Sequence, residues 1–108
     1  MQKRWDEHLR AQKGKTGTVG VVALDRYGNI VAGTSTGGIG GEIPGRVSDS
    51  PTIAGNYANK FAGISATGIG EQIVNLGAAV KIATRVEDGM DLKSAVDKTI
   101  HDAKTQHE

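Results

Sequence analysis

The stretch Gly17-Thr18-Val19-Gly20-Val21-Val22-Ala23-Leu24-Asp25 places a threonine, directly after a glycine, at the head of a short apolar run. A threonine hydroxyl is a weak nucleophile until a base stands beside it, and the residue's own α-amino group is one such base. That use requires the Gly17–Thr18 peptide bond to be cut, and Gly17 leaves the carbonyl side of such a bond unhindered. The same Gly-Thr-Val is also an ordinary entry into a strand. Val19, Val21 and Ala23 fall on one face and Val22 and Leu24 on the other, the pattern of a strand covered on both sides.

Working outward, Asp25-Arg26-Tyr27-Gly28-Asn29 is a turn signal and Ile30–Thr36 reads as the returning strand. Antiparallel pairing brings the outer ends of a hairpin together, so Thr36 is expected beside Thr18. Gly37-Gly38-Ile39-Gly40-Gly41 follows, then a polar connection to about Lys60 with Pro44-Gly45-Arg46 and Asp49-Ser50-Pro51. Connections of this length are usually functional or disordered, and Tyr57 is placed to wall a pocket within it. Phe61–Thr67 is a third strand candidate that runs into Gly68-Ile69-Gly70-Glu71, where a helix begins. Ile69, Ile73, Leu76, Val80, Ala83 and Val86 form one apolar stripe, which predicts a single helix ending at Glu87-Asp88, with Gly89 as a left-handed cap. A second amphipathic helix starts at about Asp91, a suitable N-cap, and carries Leu92, Ala95, Val96, Thr99, Ile100 and Ala103. Ahead of the hairpin, Trp5 and Leu9 mark a short polar helix that gives way to a linker over 13–17; its lysines lack P-loop spacing.

Composition bounds the rest. The chain has 108 residues, a formal net charge of +1 and no cysteine. Its length suits one small domain, and its charge gives no basis for nucleic acid or anionic membrane as a partner. No apolar run approaches the roughly 20 residues that span a bilayer, and the opening residues do not read as a signal peptide. The lack of thiols fits a reducing compartment, with the cytoplasm as the expected location. Aromatic residues make up 4% of the chain and there are 16 glycines. So thin a core implies glycines that serve backbone shape or close approach, or a core completed by other chain. His8, His101 and His107 lie in polar contexts without ligand spacing, so no metal site is expected from them.

Taken together, Gly17-Thr18-Val19-Gly20, Thr34-Ser35-Thr36-Gly37-Gly38, Gly45-Arg46-Val47-Ser48-Asp49-Ser50-Pro51 and Ala66-Thr67-Gly68-Ile69-Gly70-Glu71 resemble the isoaspartyl peptidase/L-asparaginase family of N-terminal nucleophile hydrolases. The likeness covers about residues 17–103 and corresponds to most of that family's β-subunit. It implies an α+β fold, here part of an αββα sandwich in which helices enclose two antiparallel sheets. It also implies self-cleavage between Gly17 and Thr18. The freed α-amino group, with a reference pKa of about 7.7–8.0, would relay the proton of the Thr18 hydroxyl as it attacks an amide carbonyl. An acyl-enzyme then forms, ammonia or an amine leaves, and water releases aspartate.

By the same resemblance Thr36 is the second threonine near the nucleophile. Thr67 and Gly68 are the oxyanion-stabilising hydroxyl and backbone N–H at a helix start, with Gly68 also touching substrate. Arg46 would hold the substrate's α-carboxylate and Asp49 its α-amino group, roles that suit a guanidinium fork and a nearby carboxylate; the ordinary alternative is a surface pair between the two. Glu71 reads as a charge favouring the helix dipole. Ser48 stands where the family often has glycine and Ile69 where threonine is common, while Thr-Gly-Gly at 36–38 leans toward the asparaginase branch. Residues 1–17 would be the end of an α-part and its linker, and 18–108 an incomplete β-subunit-like domain. Expected partners are asparagine or a β-aspartyl peptide, a complementary α-part holding a structural sodium site, and a second αβ unit; no other cofactor is implied. The alternatives are a fragment inactive without its complement, or a glycosylasparaginase-like relative.

Overall fold

A computed structural model describes residues 17–38 and 40–106. The polar helix expected around Trp5 and Leu9, the linker before Gly17, Ile39, His8 and His107 lie outside the described residues.

Strands β1 (Thr18–Leu24) and β2 (Ile30–Thr36) pair antiparallel in a register that runs from Thr18 opposite Thr36 to Leu24 opposite Ile30. The turn between them is built by Asp25. Its Oδ1 accepts the backbone N–H groups of Tyr27 and Asn29, each at 2.8 Å, and Oδ2 accepts Asn29 Nδ2 at 2.9 Å. Gly28 takes the left-handed conformation that closes the turn, at φ 87°.

The long connection contains a strand that the sequence pattern did not reveal. Strand β3 (Asn56–Ala58) pairs antiparallel with β4 (Gly63–Ser65), which is shorter than the strand expected over 61–67. Asn59 makes this second hairpin: its Oδ1 accepts the N–H groups of Phe61 at 2.8 Å and Ala62 at 3.0 Å. Tyr57 stands in β3 opposite Ile64.

The two hairpins stack face to face. Thr34 Oγ1 donates to Asn56 Oδ1 at 3.0 Å and lies 2.8 Å from Ser65 Oγ, whose hydroxyl proton is then the one shared. Gly20 lies opposite Thr34, and a Cβ there would fall 2.0 Å from Ser65 Oγ. Gly63 approaches the first sheet just as closely, where a Cβ would meet Ile30 and Val22 at 2.7 and 2.8 Å. The two glycines let the sheets close where any side chain would hold them apart. The opposite face of the first sheet is open: Val19, Val21 and Val31 are each more than 60% exposed. The expectation that β1 is covered on both faces is thus corrected. Within the described chain only the Gly20–Val22 face is packed.

The single helix expected over 69–87 is two. Helix α1 (Gly70–Leu76) and helix α2 (Ala78–Glu87) meet at Gly77, which is left-handed at φ 66° and ψ 44°. Its N–H caps α1 on Ile73 O and Val74 O. An apolar stripe at spacings of three and four cannot register such a break, because Leu76 and Val80 keep helical spacing across it. Ile69 precedes α1 and is exposed. The amides of Ala79 and Val80, which an isolated helix start leaves unpaired, donate to Ala54 O at 2.8 Å and Ile53 O at 3.1 Å. These bonds fasten the end of the long loop to α2. Helix α3 (Leu92–Gln106) begins as expected, with Asp91 Oδ2 accepting Ser94 N at 3.1 Å, and Gly89 is left-handed after α2 at φ 108°.

The layers run β1–β2, β3–β4, α2, α3. The core is small and alanine-rich: Ala54, Ala62, Leu76, Ala78, Ala79, Ile82, Ala83 and Ala95 are buried. Of the apolar face expected on α3, Ala95 and Thr99 are buried whereas Leu92 and Ile100 are exposed. Arg85 ties α2 to α3, donating to Thr99 Oγ1 at 2.7 Å and to Asp102 Oδ2 at 2.6 Å.

Two stability outcomes follow from these close approaches, both read as shifts of a urea midpoint. Gly20→Ala is expected to cost about 1–3 kcal/mol through overpacking against Ser65; an unchanged midpoint would mean that the sheets do not press together there. Gly77→Ala is expected to cost about 1–2 kcal/mol by forcing an L-residue into the left-handed region.

Candidate functional site

The register of β1 and β2 determines the first part of the site. Thr18 and Thr36 face each other at the open end of the hairpin, and Thr18 Oγ1 donates to Thr36 Oγ1 at 3.2 Å. Thr36 Oγ1 also accepts Gly38 N at 3.1 Å and donates to the Gly17 carbonyl in a long contact of 3.5 Å. One hydroxyl thus links Thr18, the peptide carbonyl just before it and the start of the glycine-rich segment.

The loop that follows folds over this end. Arg46 N donates to Ile43 O at 3.0 Å, in a tight turn where Gly45 is left-handed at φ 92°. The Arg46 guanidinium binds Glu71 along one edge: Nε donates to Oε1 at 3.1 Å and Nη2 donates to the same oxygen. Nη1 lies 3.9 Å from Glu42 Oε1. The Arg46–Asp49 surface pair that spacing alone allows is not what forms. Asp49 is instead buried, 9% exposed, in a turn where Thr52 N and Thr52 Oγ1 donate to its carbonyl at 2.9 and 2.7 Å.

Glycines again permit the approach. A Cβ on Gly55 would lie 2.3 Å from Asp49 O, and one on Gly70 would lie 2.0 Å from Ser48 Oγ and 2.6 Å from Asp49 Oδ1. The carboxylate of Asp49 therefore rests on bare backbone at the start of α1. Thr67 and Gly68 lie in the connection just ahead of that helix. The helix itself begins at Gly70 with Ile69 as its N-cap, so the two residues expected at the helix start stand just before it. Thr67 is accordingly not the helix cap that a simpler reading would make it. Gly68 has a positive φ of 150°, a backbone conformation that glycine tolerates best.

Thr18, Thr36, Arg46, Asp49, Thr67 and Gly68 all line one cavity of about 580 Å³. It sits at the end of the hairpin, walled by the 37–51 loop and by the 67–70 segment. The arrangement brings a hydroxyl pair, a guanidinium and a buried carboxylate into one space, which suits a small zwitterion carrying a second polar group. Among the described residues no group of three or more His, Cys, Asp or Glu side chains stands close enough to hold a metal ion.

Three contributors escaped the sequence reading. Glu71, taken there only as a favourable helix-start charge, is the main partner of Arg46. Glu42 lines the cavity beside Gly38, where a Cβ would fall 1.9 Å from its Oε1. Gly70 makes room for Ser48 and Asp49. Separations of 25 residues between Arg46 and Glu71 carry no periodic signal, so only the fold could pair them. The hydrogen bond from Arg46 holds the Glu71 carboxyl below the ordinary glutamate range, aided by its own backbone N–H and the Arg46 charge. The Ser48 hydroxyl, buried without a hydrogen-bond partner of normal geometry, adds a weaker pull in the same direction.

A carboxyl whose folded pKa is depressed favours the folded arrangement above its unfolded pKa and loses that effect as pH falls through the folded value. The Arg46–Glu71 link is therefore expected to persist below pH 4.5, the ordinary glutamate value, and to release at lower pH. The Arg46 Nε–H resonance, followed by NMR, should report that midpoint. A midpoint at or above the ordinary value would show that the link is not formed in solution.

The comparisons with known proteins agree in one direction. The family model described as asparaginase matches residues 1–108. An isoaspartyl peptidase/L-asparaginase of Synechocystis sp. is 56% identical over 84% of this chain and 28% of its own length. A Nostoc sp. protein of the same name is 50% identical over 90% of this chain and 30% of its own length. The isoaspartyl peptidase of Escherichia coli (strain K12) is 46% identical over 82% of this chain and 29% of its own length. The chain thus spans less than a third of the length of these relatives. Matched along its whole length by the family model and at about half identity by these proteins, the chain belongs to the asparaginase family that includes the isoaspartyl peptidase/L-asparaginases.

Proposed function

We propose that this chain carries the catalytic end of an N-terminal threonine amidohydrolase that cleaves L-asparagine, β-aspartyl dipeptides or both. The observation that carries the reading is the convergence of Thr18, Thr36, Arg46, Asp49, Thr67 and Gly68 on one cavity. In the uncut chain the Thr18 oxygen attacks the Gly17 carbonyl, and Thr36, which donates to that carbonyl oxygen, withdraws charge from it. The tetrahedral species collapses by breaking the Gly17–Thr18 C–N bond, with the hydroxyl proton passing to the departing nitrogen. Water then hydrolyses the resulting ester, and residues 1–17 leave as the end of the preceding α-part. The freed amine of Thr18 then serves as the base for its own hydroxyl.

Substrate binding follows from charge. Arg46 takes the α-carboxylate with the guanidinium edge that Glu71 does not occupy, and Asp49 takes the α-ammonium. The side-chain amide is left over Thr18, and the developing oxyanion is met by the Thr67 hydroxyl and the Gly68 N–H. Collapse of the tetrahedral species expels ammonia or an amine, with the proton returned from the Thr18 amine. Water then attacks the acyl-threonine and releases aspartate.

The sheet–sheet–helix layering supports reading the chain as part of an αββα sandwich, and the exposed Val19, Val21 and Val31 face supports a complementary α-part against it. A dimer of such αβ units, acting in the cytoplasm, completes the proposal. Among the described residues no helix is long and apolar enough to cross a membrane.

Intact-mass measurement after incubation at neutral pH tests the reading. The wild-type protein is expected to lose residues 1–17 and to release ammonia from asparagine, and Thr18→Ala to stay whole and release none. Ammonia release by Thr18→Ala at the wild-type rate would overturn the mechanism. Thr67→Ala is expected to keep cleavage but lose about 10²–10³ in kcat, the usual loss for one oxyanion donor.

A further inference from the structure

Arg46 presents two hydrogen-bonding edges, and both face carboxylates. Glu71 holds the Nε–Nη2 edge from the start of α1, outside the set of residues that line the cavity. Glu42 faces Nη1 on the other edge from within the cavity, at 3.9 Å. The Glu42 side chain is only 23% exposed, and its Oε1 lies 1.9 Å from where a Cβ on Gly38 would stand. A carboxylate ligand that used the Nη1–Nη2 edge would have to enter the space that Glu42 Oε1 borders. Gly38, Gly40 and Gly41 beside Glu42 all have positive φ, at 87°, 88° and 71°, a backbone conformation that glycine tolerates best.

We infer that Glu42 is a resident competitor for the carboxylate site: its side chain takes the place of the ligand's α-carboxylate beside Arg46 and is displaced when that carboxylate binds. The inference rests on the assignment of Arg46 to the α-carboxylate. It adds a residue that sets affinity and selectivity, because a ligand must outbid an acid already in place. Ligands lacking an α-carboxylate leave Glu42 where it is, and so gain nothing from its removal. Like-charge repulsion acts in the same sense, since Glu42 and an arriving carboxylate would stand beside the same guanidinium.

Calorimetric titration of the assembled protein with L-aspartate, the product of the proposed reaction, and with β-alanine, which is aspartate without its α-carboxylate, reads the effect directly. Glu42→Gln removes the charge and keeps the shape. It is expected to tighten L-aspartate binding about two- to five-fold, the scale of a partly exposed ion pair, while β-alanine binding stays as in the wild type. Glu42→Ala should shift L-aspartate in the same direction. Unchanged or weaker L-aspartate binding in both variants overturns the inference, as does equal tightening of the two ligands, which would mark a general charge effect. Arg46→Lys separates this from the underlying assignment. If it leaves L-aspartate affinity unchanged, Arg46 does not hold the α-carboxylate; if it weakens L-aspartate while the Glu42 variants do nothing, only the competitor role fails.

Discussion

The pairing of Thr18 with Thr36 depends on a register that is fixed elsewhere in the hairpin, by the contact of Gly20 with Ser65. Side chains alternate along a strand, so a slip of one residue would turn Val19 or Val21 toward the second sheet. No Cβ fits at that point of contact. The Thr34 hydroxyl, shared between Asn56 and Ser65, adds a polar link that a slipped register would break. Packing between two sheets therefore specifies which hydroxyls meet at their edge.

The charged half of the cavity obeys a similar logic at a different place. Gly55 and Gly70 remove side chains where Asp49 needs to lie against backbone, so its burial comes from close packing rather than from a large apolar core. The core offers little else. Alanines dominate it, and the longest apolar faces of β1 and α3 remain exposed. Hydrogen bonds that cross between elements add to this core: α2 amides on the 53–54 carbonyls, and Arg85 on Thr99 and Asp102.

Electrostatics at the cavity are arranged around one cation. Arg46 has Glu71 on one side and Glu42 on the other, while Asp49 lines the same cavity from a buried position. Two carboxylates on one guanidinium hold the cation in place and partly offset its charge. A site of this kind discriminates by what it must release as much as by what it gains. Its holding partner, Glu71, is exposed to solvent and can therefore be titrated, whereas Glu42 is reached mainly through the cavity.

The chain's local signals carried the hairpin, its turn at Asp25, the Asp91 cap and the left-handed Gly89, because each is a short-range rule of backbone geometry. Motifs in order carried the family, and hairpin arithmetic alone set Thr36 against Thr18. The tertiary structure decided what local pattern could not. An apolar stripe continues unbroken through Gly77, since side-chain spacing does not record a left-handed backbone. Strand β3 is too short and too polar to show an alternation, and exists because β4 and Thr34 offer it partners. The meeting of Arg46 with Glu42 and Glu71 needed three segments brought together, and long-range charge pairing leaves no periodic trace along a chain.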